Sequence, residues 1–304
     1  MKFNVISNLH NGAGLEVDCN LVIGMLRAAG HEPNAVQHDA PHMARRADKN
    51  LFIELFAPEL MAMAREQILI PNPEWWFEGW NRWLPVFARI LCKTRHAQEH
   101  FHRLAGFRAV YLGFESQDLL DESVPRRRQF IHVAGASSAK NTDAVLDCWR
   151  KAPPPAKLIV ISRNHAHTSQ PIPNVEFHTR LEFDRLKRLM NESLFHLMPS
   201  AYEGFGHAVH EAEGLGAVII TMNRPPMTEV AHHAALAVEP TAYSRHQGMM
   251  MNWTGWREIE LAVSRALSLT TEEIEAVRAA TRAHFLAERE AFRQRFAKFL
   301  EGKL

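Results

Sequence analysis

Residues 199–219 read PSAYEGFGHAVHEAEGLGAVI, and this stretch, together with the segments on either side, indicates the fold class. An apolar run, Ser193–Met198, precedes it, and a second apolar run, Ala217–Thr221, ends it. Between them, Pro199–Gly206 is a glycine-containing turn and His207–Gly214 has the spacing of a short amphipathic helix. A strand, a turn, a helix and a second strand in this order predict a parallel sheet covered by helices.

The same alternation recurs along the rest of the chain. The N-terminal half predicts strands at Phe3–Ser7, Gln67–Ile70, Val86–Cys92 and Ala109–Leu112, with helices at Leu15–Ala29 and His96–Leu104. The C-terminal half predicts strands at Gln129–Ala134, Lys157–Ser162 and Val175–Phe177, with a helix at Asn141–Lys151. The charged stretch Asp118–Arg128, which contains Pro125, separates the two series and is interpreted as a linker. The pattern predicts an α/β protein with two doubly wound sheets in tandem.

The composition is that of an ordinary soluble globular protein. The chain has 304 residues, 46% hydrophobic, 23% charged and a formal charge of +1, which excludes disorder and coiled coil and favours two domains. Its three cysteines are odd in number and widely spaced, so a disulfide framework and a metal site with paired ligands are both disfavoured. With no apolar run near the roughly 20 residues needed to span a bilayer, the sequence predicts a cytoplasmic protein. Peripheral contact with the inner face of a membrane stays open.

A long helix is predicted from Thr271 to the C-terminus, with Thr270 or Thr271 as its N-cap. Such a helix needs a long groove to cover its apolar face, and the seam between two domains offers one. We therefore expect domains at residues 1–122 and 123–280, followed by a seam helix at residues 281–304. The apolar positions of the helix are Ile274, Val277, Phe285, Phe292, Phe296 and Phe299.

The opening stretch, residues 199–219, contains two glutamates that are eight positions apart. Glu203 lies in the glycine turn after a strand, and Glu211 lies one turn into the following helix. Gly204 and Gly206 lack Cβ atoms where the backbone must approach a ligand, and the N–H groups of a helix start suit a diphosphate. Glu211 can accept two hydroxyl hydrogen bonds, as a sugar would offer, while Glu203 can face a reacting centre. The alternative is a plain strand-turn-helix with two solvated glutamates.

The full string, with Pro199, Tyr202 and Gly216 in place, resembles the nucleotide-sugar motif of retaining GT-B glycosyltransferases, the paired-glutamate family of glycosyl transferases group 1. The resemblance implies two Rossmann-like domains that face a cleft, and a C-terminal helix that returns toward the N-terminal domain. It implies a retaining sugar transfer from a nucleotide-sugar donor without a metal or other cofactor. In that family Glu203 would contact the transferred sugar as the catalytic glutamate, and Glu211 would hold the ribose hydroxyls. The diphosphate would lie on the backbone of Gly204, Phe205, Gly206 and His207.

Three further segments resemble the same family in the expected order. His132–Asn141 matches its first C-domain strand and loop, in which Lys140 corresponds to a lysine that binds the diphosphate. The accompanying arginine is missing, and Arg163 and Arg180 are candidate substitutes. Asn174–Leu181 matches the region that reads the nucleobase. The loop Asn223–Glu229 matches the loop beside the donor sugar, with Asn223 as a donor-binding residue.

The N-terminal half resembles the family's acceptor domain in outline. Its loop Asn11–Gly14 would lie near the acceptor and the donor phosphate, so Gly12 and Gly14 are secondary candidates. The same loop reads as an incomplete dinucleotide fingerprint, with Val17 where the third glycine belongs, or as a glycine turn without a ligand. His10 is the candidate for a catalytic polar residue near the transferred sugar. The alternative is that His10, as one of 18 histidines, has no role in the site.

The segment Pro73–Trp83 contains four of the seven tryptophans. Clustered aromatic rings beside arginines suggest an acceptor platform with Trp75 and Trp76, a membrane-interface contact or a stacking surface for bases. A segment packed into the domain core is the alternative.

The acceptor is favoured to be a saccharide or a lipid-linked saccharide. A DNA base stays open, although the slightly acidic N-terminal half disfavours it. Two other classes fit the same motif, namely a non-catalytic nucleotide-sugar-binding subunit and a GT-B nucleotide-sugar epimerase.

Overall fold

A computed structural model describes residues 1–10, 14–168, 171–231 and 236–304. The chain divides into two compact units. The first comprises Met1–Gly113, Gln247–Met249 and Arg295–Leu304, and the second comprises Phe114–His246 and Met250–Gln294. The C-terminal end of the chain therefore belongs to the first unit. The domain limits at residues 122 and 280 stay predictions.

The first unit is built on a six-stranded parallel sheet with the order β2-β1-β3-β4-β5-β6. Its described strands are β1 (Lys2–Ser7), β2 (Glu32–Gln37), β3 (Ala47–Ile53), β4 (Ala64–Ile70), β5 (Phe87–Cys92) and β6 (Ala109–Tyr111). Its described helices are α1 (Gly14–Ala28) and α2 (Arg95–Ala105), and short 3-10 helices occupy Pro41–Met43, Pro58–Met63, Pro73–Trp75, Glu78–Val86 and Gly106–Arg108. Thr94 caps α2, because its Oγ1 accepts a hydrogen bond from Ala97 N at 3.0 Å.

Strands β2 and β3 are absent from the sequence prediction because they are unusually polar. Asn50 of β3 is buried, yet its amide is satisfied by the neighbouring strands. Asn4 Nδ2 of β1 donates to Asn50 Oδ1 at 2.9 Å, and Asn50 Nδ2 donates to Gln67 Oε1 of β4 at 3.0 Å. This amide ladder crosses three strands, and its hydrogen bonds offset the cost of burying the polar groups.

The second unit contains a six-stranded parallel sheet with the order β12-β11-β10-β7-β8-β9 and a separate two-stranded sheet, β13-β14. The strands are β7 (Arg127–Gly135), β8 (Leu158–Ser162), β9 (Val175–His178), β10 (Ser193–Met198), β11 (Val218–Met222), β12 (Leu236–Val238), β13 (Ala242–His246) and β14 (Met249–Trp253). The helices are α3 (Thr142–Lys151), α4 (Phe183–Glu192), α5 (His207–Gly214), α6 (Met227–Val230), α7 (Trp256–Ser268) and α8 (Thr271–Leu300).

The central strands of this second sheet are apolar along their length because helices cover both faces. Phe130 of β7 packs on one face with Phe195 of β10, whose ring centroid lies 4.8 Å away, and with Trp149 of α3 at 5.5 Å. The next residue, Ile131, points to the opposite face and packs with Leu189 of α4. Successive residues thus enter different cores, as expected for a parallel sheet between two helical layers.

Helix α8 begins at a capping box. Thr270 Oγ1 accepts from Glu273 N at 3.2 Å, and Glu273 Oε2 accepts from Thr270 N at 2.8 Å. Thr270 is therefore the N-cap, which confirms one of the two predicted residues. Phe285, Phe292, Phe296 and Phe299 of α8 are buried, as expected from their spacing. Among the described helices, α8 included, no segment is long and apolar enough to cross a membrane.

The stretch interpreted as a linker is fixed to the second unit by ion pairs. The carboxylate of Asp118 accepts two hydrogen bonds from the Arg282 guanidinium of α8, both at 2.7 Å. Just before this stretch, Glu115 accepts two hydrogen bonds from Arg293 of α8, at 2.8 and 3.2 Å. These two-point contacts give the segment a defined path along α8, so it differs from a flexible connection.

Candidate active site

The candidate site of the second unit lies where the strand order reverses. The chain runs from β7 to β8 and β9 on one side and from β10 to β11 and β12 on the other. Ligands of parallel α/β sheets bind beyond the carboxyl ends of the two strands at such a switch point. Here the segments that follow β7 and β10 are joined, because Ala201 N donates to Ala139 O at 2.7 Å.

Glu203 and Lys140, the two charged residues of these segments, form an ion pair between Oε1 and Nζ. Their side chains are 13% and 16% exposed, so the pair is only partly screened by water. The sequence predicted both residues for the donor site, and the structure brings them into contact. Because Lys140 already has an anionic partner, a bound diphosphate would have to share it or replace Glu203.

Glu211 of α5 is different, because its carboxylate makes no hydrogen bond or ion pair with the described part of the chain. Burial raises the pKa of Glu211 to about 7, against a smaller opposing effect of His207. A carboxylate with a raised pKa and no partner is costly to the folded protein, and such groups concentrate at functional sites. The geometry therefore leaves Glu211 available to accept hydrogen bonds from a ligand.

The ring of Phe205 in the turn contacts two histidines of α5. The ring of Phe205 stacks on His210 at 4.1 Å between centroids and contacts the edge of His207 at 5.0 Å. His207 Nδ1 lies 2.7 Å from Ser116 Oγ, within hydrogen-bond distance. These contacts define the orientation of the first turn of α5, whose N-terminus carries partial positive charge.

Gly206 is the N-cap of α5 and has a left-handed backbone, with φ of 83°. A Cβ atom there would lie 3.1 Å from Val230 Cγ1 and 3.3 Å from Cβ and Cγ of Glu203. We expect Gly206→Ala to lower the free energy of unfolding by about 1–2 kcal/mol, the cost of a left-handed residue with a side chain. Because the methyl group also shifts the backbone of this turn, whose N–H groups are the proposed diphosphate contacts, we expect weaker nucleotide binding in a calorimetric titration.

Gly24→Ala in α1 is the matched control for this change, since no atom lies within 4 Å of the added Cβ. It should leave stability unchanged or raise it by up to about 1 kcal/mol. A Gly206→Ala protein with the stability and nucleotide affinity of the wild type would contradict the assigned role of this turn.

Glu213, two residues after Glu211, has a structural role, because its carboxylate is paired with two histidines. It is buried and accepts hydrogen bonds from His210 Nδ1 at 2.9 Å and from His284 Nδ1 of α8 at 3.2 Å. Burial acts to raise the pKa of Glu213, but these hydrogen bonds outweigh it and the pKa is lowered. The hydrogen bond to Glu213 raises the pKa of His284. The network ties α5, and with it the candidate site, to α8.

This network should stabilise the protein most in weakly acidic solution. The contribution of Glu213 is present above its ordinary pKa of 4.5 and is lost as the pH falls through its lowered value. The contribution of His284 is present below 6.5 and is lost as the pH rises through its raised pKa. We expect Glu213→Gln to cost about 1–3 kcal/mol in urea unfolding at pH 6 and less at pH 9. Equal losses at both pH values would contradict this account, and Glu182→Gln at the exposed start of α4 is the control.

The other predicted donor residues follow neighbouring strands. Asn223 comes directly after β11, where its N donates to Val238 O at 2.8 Å and its Nδ2 donates to Glu239 at 2.5 Å. Arg180 follows β9 and is exposed. Arg163 is also exposed, and its N donates to Gly135 O at the end of β7 at 2.7 Å. These residues lie at carboxyl ends of the sheet, and their roles stay predictions.

Asn141 is a residue of this site that the sequence did not single out for a role. It has a left-handed backbone, with φ of 52°, and is buried. Its Nδ2 donates to Pro199 O at 2.7 Å and to Asn252 O at 3.2 Å, while its Oδ1 accepts from Thr254 N at 3.3 Å. Asparagine tolerates this conformation, which is the only signal that the sequence offers. Its function is to hold the loops after β7 and β10 together.

The predicted residues of the first unit lie in different environments. His10 is exposed and its N donates to Asn8 Oδ1 at 3.3 Å. Gly14 begins α1, whereas Gly12 lies outside the described residues. Trp75 is 58% exposed, but Trp76 is 2% exposed and packs in the core, with Nε1 donating to Asn81 Oδ1 at 2.9 Å. Their roles toward an acceptor stay predictions, although only Trp75 offers a ring to solvent.

The described residues contain no group of three or more His, Cys, Asp or Glu side chains arranged to hold a metal ion. All three cysteines are unpaired and buried, and burial raises the pKa of the Cys19 thiol to about 11.

Comparison with known proteins finds a family match for part of the chain and solved structures with the same fold. Residues 121–247 match the family model described as glycosyl transferases group 1. No curated protein sequence matches significantly. Among solved structures, the chain is similar to a glycosyltransferase from Rickettsia africae ESF-5, with a TM-score of 0.73, 12% identity, and coverage of 99% of this chain and 98% of that chain.

Two further structures are similar over the whole chain. Sucrose-phosphate synthase from Thermosynechococcus elongatus has a TM-score of 0.75 at 10% identity and coverage of 99% and 98% of the two chains. Trehalose-phosphate synthase from E. coli bound with UDP-2-fluoro glucose has a TM-score of 0.72 at 11% identity and coverage of 99% of both chains. At such low identity the likeness concerns the fold, and it confirms the predicted GT-B architecture.

Proposed function

We propose that this glycosyltransferase with the GT-B fold transfers its sugar with retention of configuration, as the match of residues 121–247 to the glycosyl transferases group 1 family supports. The donor is a nucleotide-sugar, and we propose that the switch point of the second sheet binds it. The observation that carries this proposal is the unpartnered Glu211 carboxylate of α5, the helix that follows the turn with the Glu203–Lys140 pair. A carboxylate in this state is suited to the two hydroxyls of a ribose.

The proposed reaction is a front-face substitution at the anomeric carbon. A bond forms from the acceptor oxygen to the anomeric carbon while the bond from that carbon to the diphosphate oxygen breaks. The acceptor proton passes to the departing diphosphate, so the reaction is balanced without a protein nucleophile. Because both bonds lie on the same face of the sugar, the configuration is retained.

Lys140 and the N-terminus of α5 would stabilise the charge that develops on the leaving diphosphate. In the structure Lys140 is paired with Glu203. We propose that donor binding transfers Lys140 to the diphosphate and releases Glu203 to orient the hydroxyls of the donor sugar. In this scheme the protein cations supply the stabilisation, and no metal takes part in a step.

We propose a saccharide or lipid-linked saccharide as the acceptor and the cytoplasm as the location. The three buried, unpaired cysteines are consistent with a reducing compartment. The proposed acceptor-side residues are His10, Gly12, Gly14, Trp75 and Trp76. Of the two tryptophans, Trp75 has the ring that is exposed to solvent.

The reaction is tested by nucleotide release in the presence of nucleotide-sugars, starting with UDP-sugars because UDP-2-fluoro glucose is bound in one similar structure. Nuclear magnetic resonance of the product gives the configuration at the new bond. We expect release of the nucleoside diphosphate and a product with the configuration of the donor. Inverted product contradicts retention, interconverted donor without release indicates an epimerase, and binding without turnover indicates a non-catalytic subunit.

A further inference from the structure

The sheet of the first unit has its own switch point, between β1 and β3. The chain runs from β1 to β2 on one side, and from β3 through β4 and β5 to β6 on the other. The two strand ends are joined by a hydrogen bond from Ser7 Oγ to Ile53 O at 2.9 Å. The carboxyl edge at this point is therefore a place where a parallel sheet can receive a ligand.

Glu54 is the first residue after β3, at this edge, and it has a left-handed backbone with φ of 63°. Its N donates to Ile70 O of the adjacent strand at 2.8 Å, which fixes the conformation. A residue with a Cβ atom adopts this conformation at a cost, and such residues concentrate where the position of a side chain serves function. A glycine would fill the same turn without that cost.

A chain of side chains determines where the Glu54 carboxylate lies. Asn72 Nδ2, beyond the end of β4, donates to Glu54 Oε2 at 2.5 Å. Lys93 Nζ, beyond the end of β5, donates to Asn72 Oδ1 at 3.0 Å and forms an ion pair with Asp18 of α1. Asp18 and Lys93 are buried. Because Lys93 can only donate, it fixes the amide of Asn72 with its N–H groups toward Glu54.

The second carboxylate oxygen of Glu54, Oε1, makes no hydrogen bond with the described part of the chain. The Glu54 side chain is half-buried. Burial raises the pKa of Glu54, although the hydrogen bond from Asn72 opposes the rise. The ionised forms of Asp18, Glu54 and Lys93 sum to −1, so the cluster repels a phosphate and suits a neutral group with O–H donors.

We propose that Glu54 binds a hydroxyl group of a neutral saccharide acceptor, with Asn72, Lys93 and Asp18 as positioning residues. This inference rests on the proposed function, because it names the class of acceptor for that reaction. A free carboxylate oxygen accepts from a sugar hydroxyl as it accepts from a ribose hydroxyl, and a site built around such a bond rejects ligands that lack the donor.

The test is ligand-observed saturation-transfer magnetic resonance on the wild type, Glu54→Gln and Glu59→Gln. Glu59 is exposed in the same unit and serves as the matched control. The probes are methyl glucoside, methyl mannoside and maltose as neutral saccharides, glucose 6-phosphate as the anionic one and glucosamine as the cationic one. We expect neutral saccharides to bind the wild type and the control, and Glu54→Gln to bind them about tenfold more weakly.

A second variant separates binding from folding. Glu54→Gly suits the left-handed backbone, so its Tm should equal or exceed that of the wild type while saccharide binding is lost. Saccharide binding retained in Glu54→Gln, preference for the anionic or the cationic probe, or no binding of any neutral saccharide overturns the inference. Nucleoside diphosphate binding is measured on the same samples. Its absence in the wild type counts against the donor site, whereas its presence without a Glu54 effect counts against Glu54 alone.

Discussion

Glu203→Gln is expected to lower kcat by about 100-fold, the scale found when one preorganised polar group is removed from a transition state. Donor affinity should stay within about threefold of the wild type or become tighter. The reason is the Glu203–Lys140 ion pair, with which a diphosphate must compete. Glutamine keeps the size of the side chain but removes the charge that holds Lys140, so Lys140 becomes more available to the donor.

Steady-state nucleotide release and a calorimetric titration with the donor measure the two effects separately. Glu182→Gln, an exposed glutamate in the same unit, is the control and should change neither quantity. Lys140→Ala should show the complementary result, with weaker donor binding by about tenfold or more. A Glu203→Gln enzyme with wild-type kcat, or one that loses donor binding as strongly as turnover, would contradict the proposed division of roles.

Glu211→Gln is expected to weaken donor binding by about 30- to 100-fold, since hydrogen bonds to a charged group contribute about 2–3 kcal/mol. The wild type should also show an unusual pH dependence. The pKa of Glu211 is about 7 in the free protein, and hydroxyl donors favour the ionised form. Donor affinity should therefore rise by about tenfold between pH 6 and pH 8, and Glu211→Gln should abolish this rise.

The same substitution should stabilise the ligand-free protein at high pH. The folded pKa of Glu211 is raised, so stability is fully present below its ordinary pKa of 4.5 and is lost as the pH rises through about 7. Glu211→Gln should therefore raise the free energy of unfolding by up to about 3 kcal/mol at pH 8 and leave it unchanged at pH 4.5. Urea unfolding at both values measures this, and a destabilised variant at pH 8 would contradict the half-buried, unpartnered state of the carboxylate.

The sequence predicted the second sheet well because its strands carry their own signal. Apolar runs such as Ser193–Met198 are buried on both faces, and glycine turns mark where they end. Predicted and observed bounds agree for His207–Gly214, and α8 begins at the predicted Thr271. Strand β2 (Glu32–Gln37) was missed because it is a polar edge strand whose structure depends on its pairing with β1.

The residues of the candidate site could be predicted from the sequence, but their contacts and their pKa values could not. The glutamate spacing identified Glu203 and Glu211, yet Lys140 is 63 positions from its partner, and no local pattern indicates that contact. The raised pKa of Glu211 depends on burial by distant segments. Glu54 had no signal in the sequence, because its left-handed backbone and its link to Lys93 arise only when the ends of three strands meet.

The environments of the tryptophans in the segment Pro73–Trp83 could not be predicted from the composition of that segment. Trp75 and Trp76 are adjacent, but one ring is exposed and the other is buried against Trp80 and Phe101. The segment forms 3-10 helices, at Pro73–Trp75 and Glu78–Val86. Tryptophan content alone did not distinguish these two environments, since aromatic rings are common in both cores and binding surfaces.

We propose that the turn around Glu203 and the helix with Glu211 bind a nucleoside diphosphate. Thermal-shift titration of the wild type and Glu211→Gln with nucleoside diphosphates and their sugar conjugates tests this binding. We expect stabilisation of the wild type by one base family, about 2.7 kcal/mol at 100 times the dissociation constant, and a much smaller shift in Glu211→Gln. No shift with any nucleotide, or an equal shift in both proteins, would contradict it.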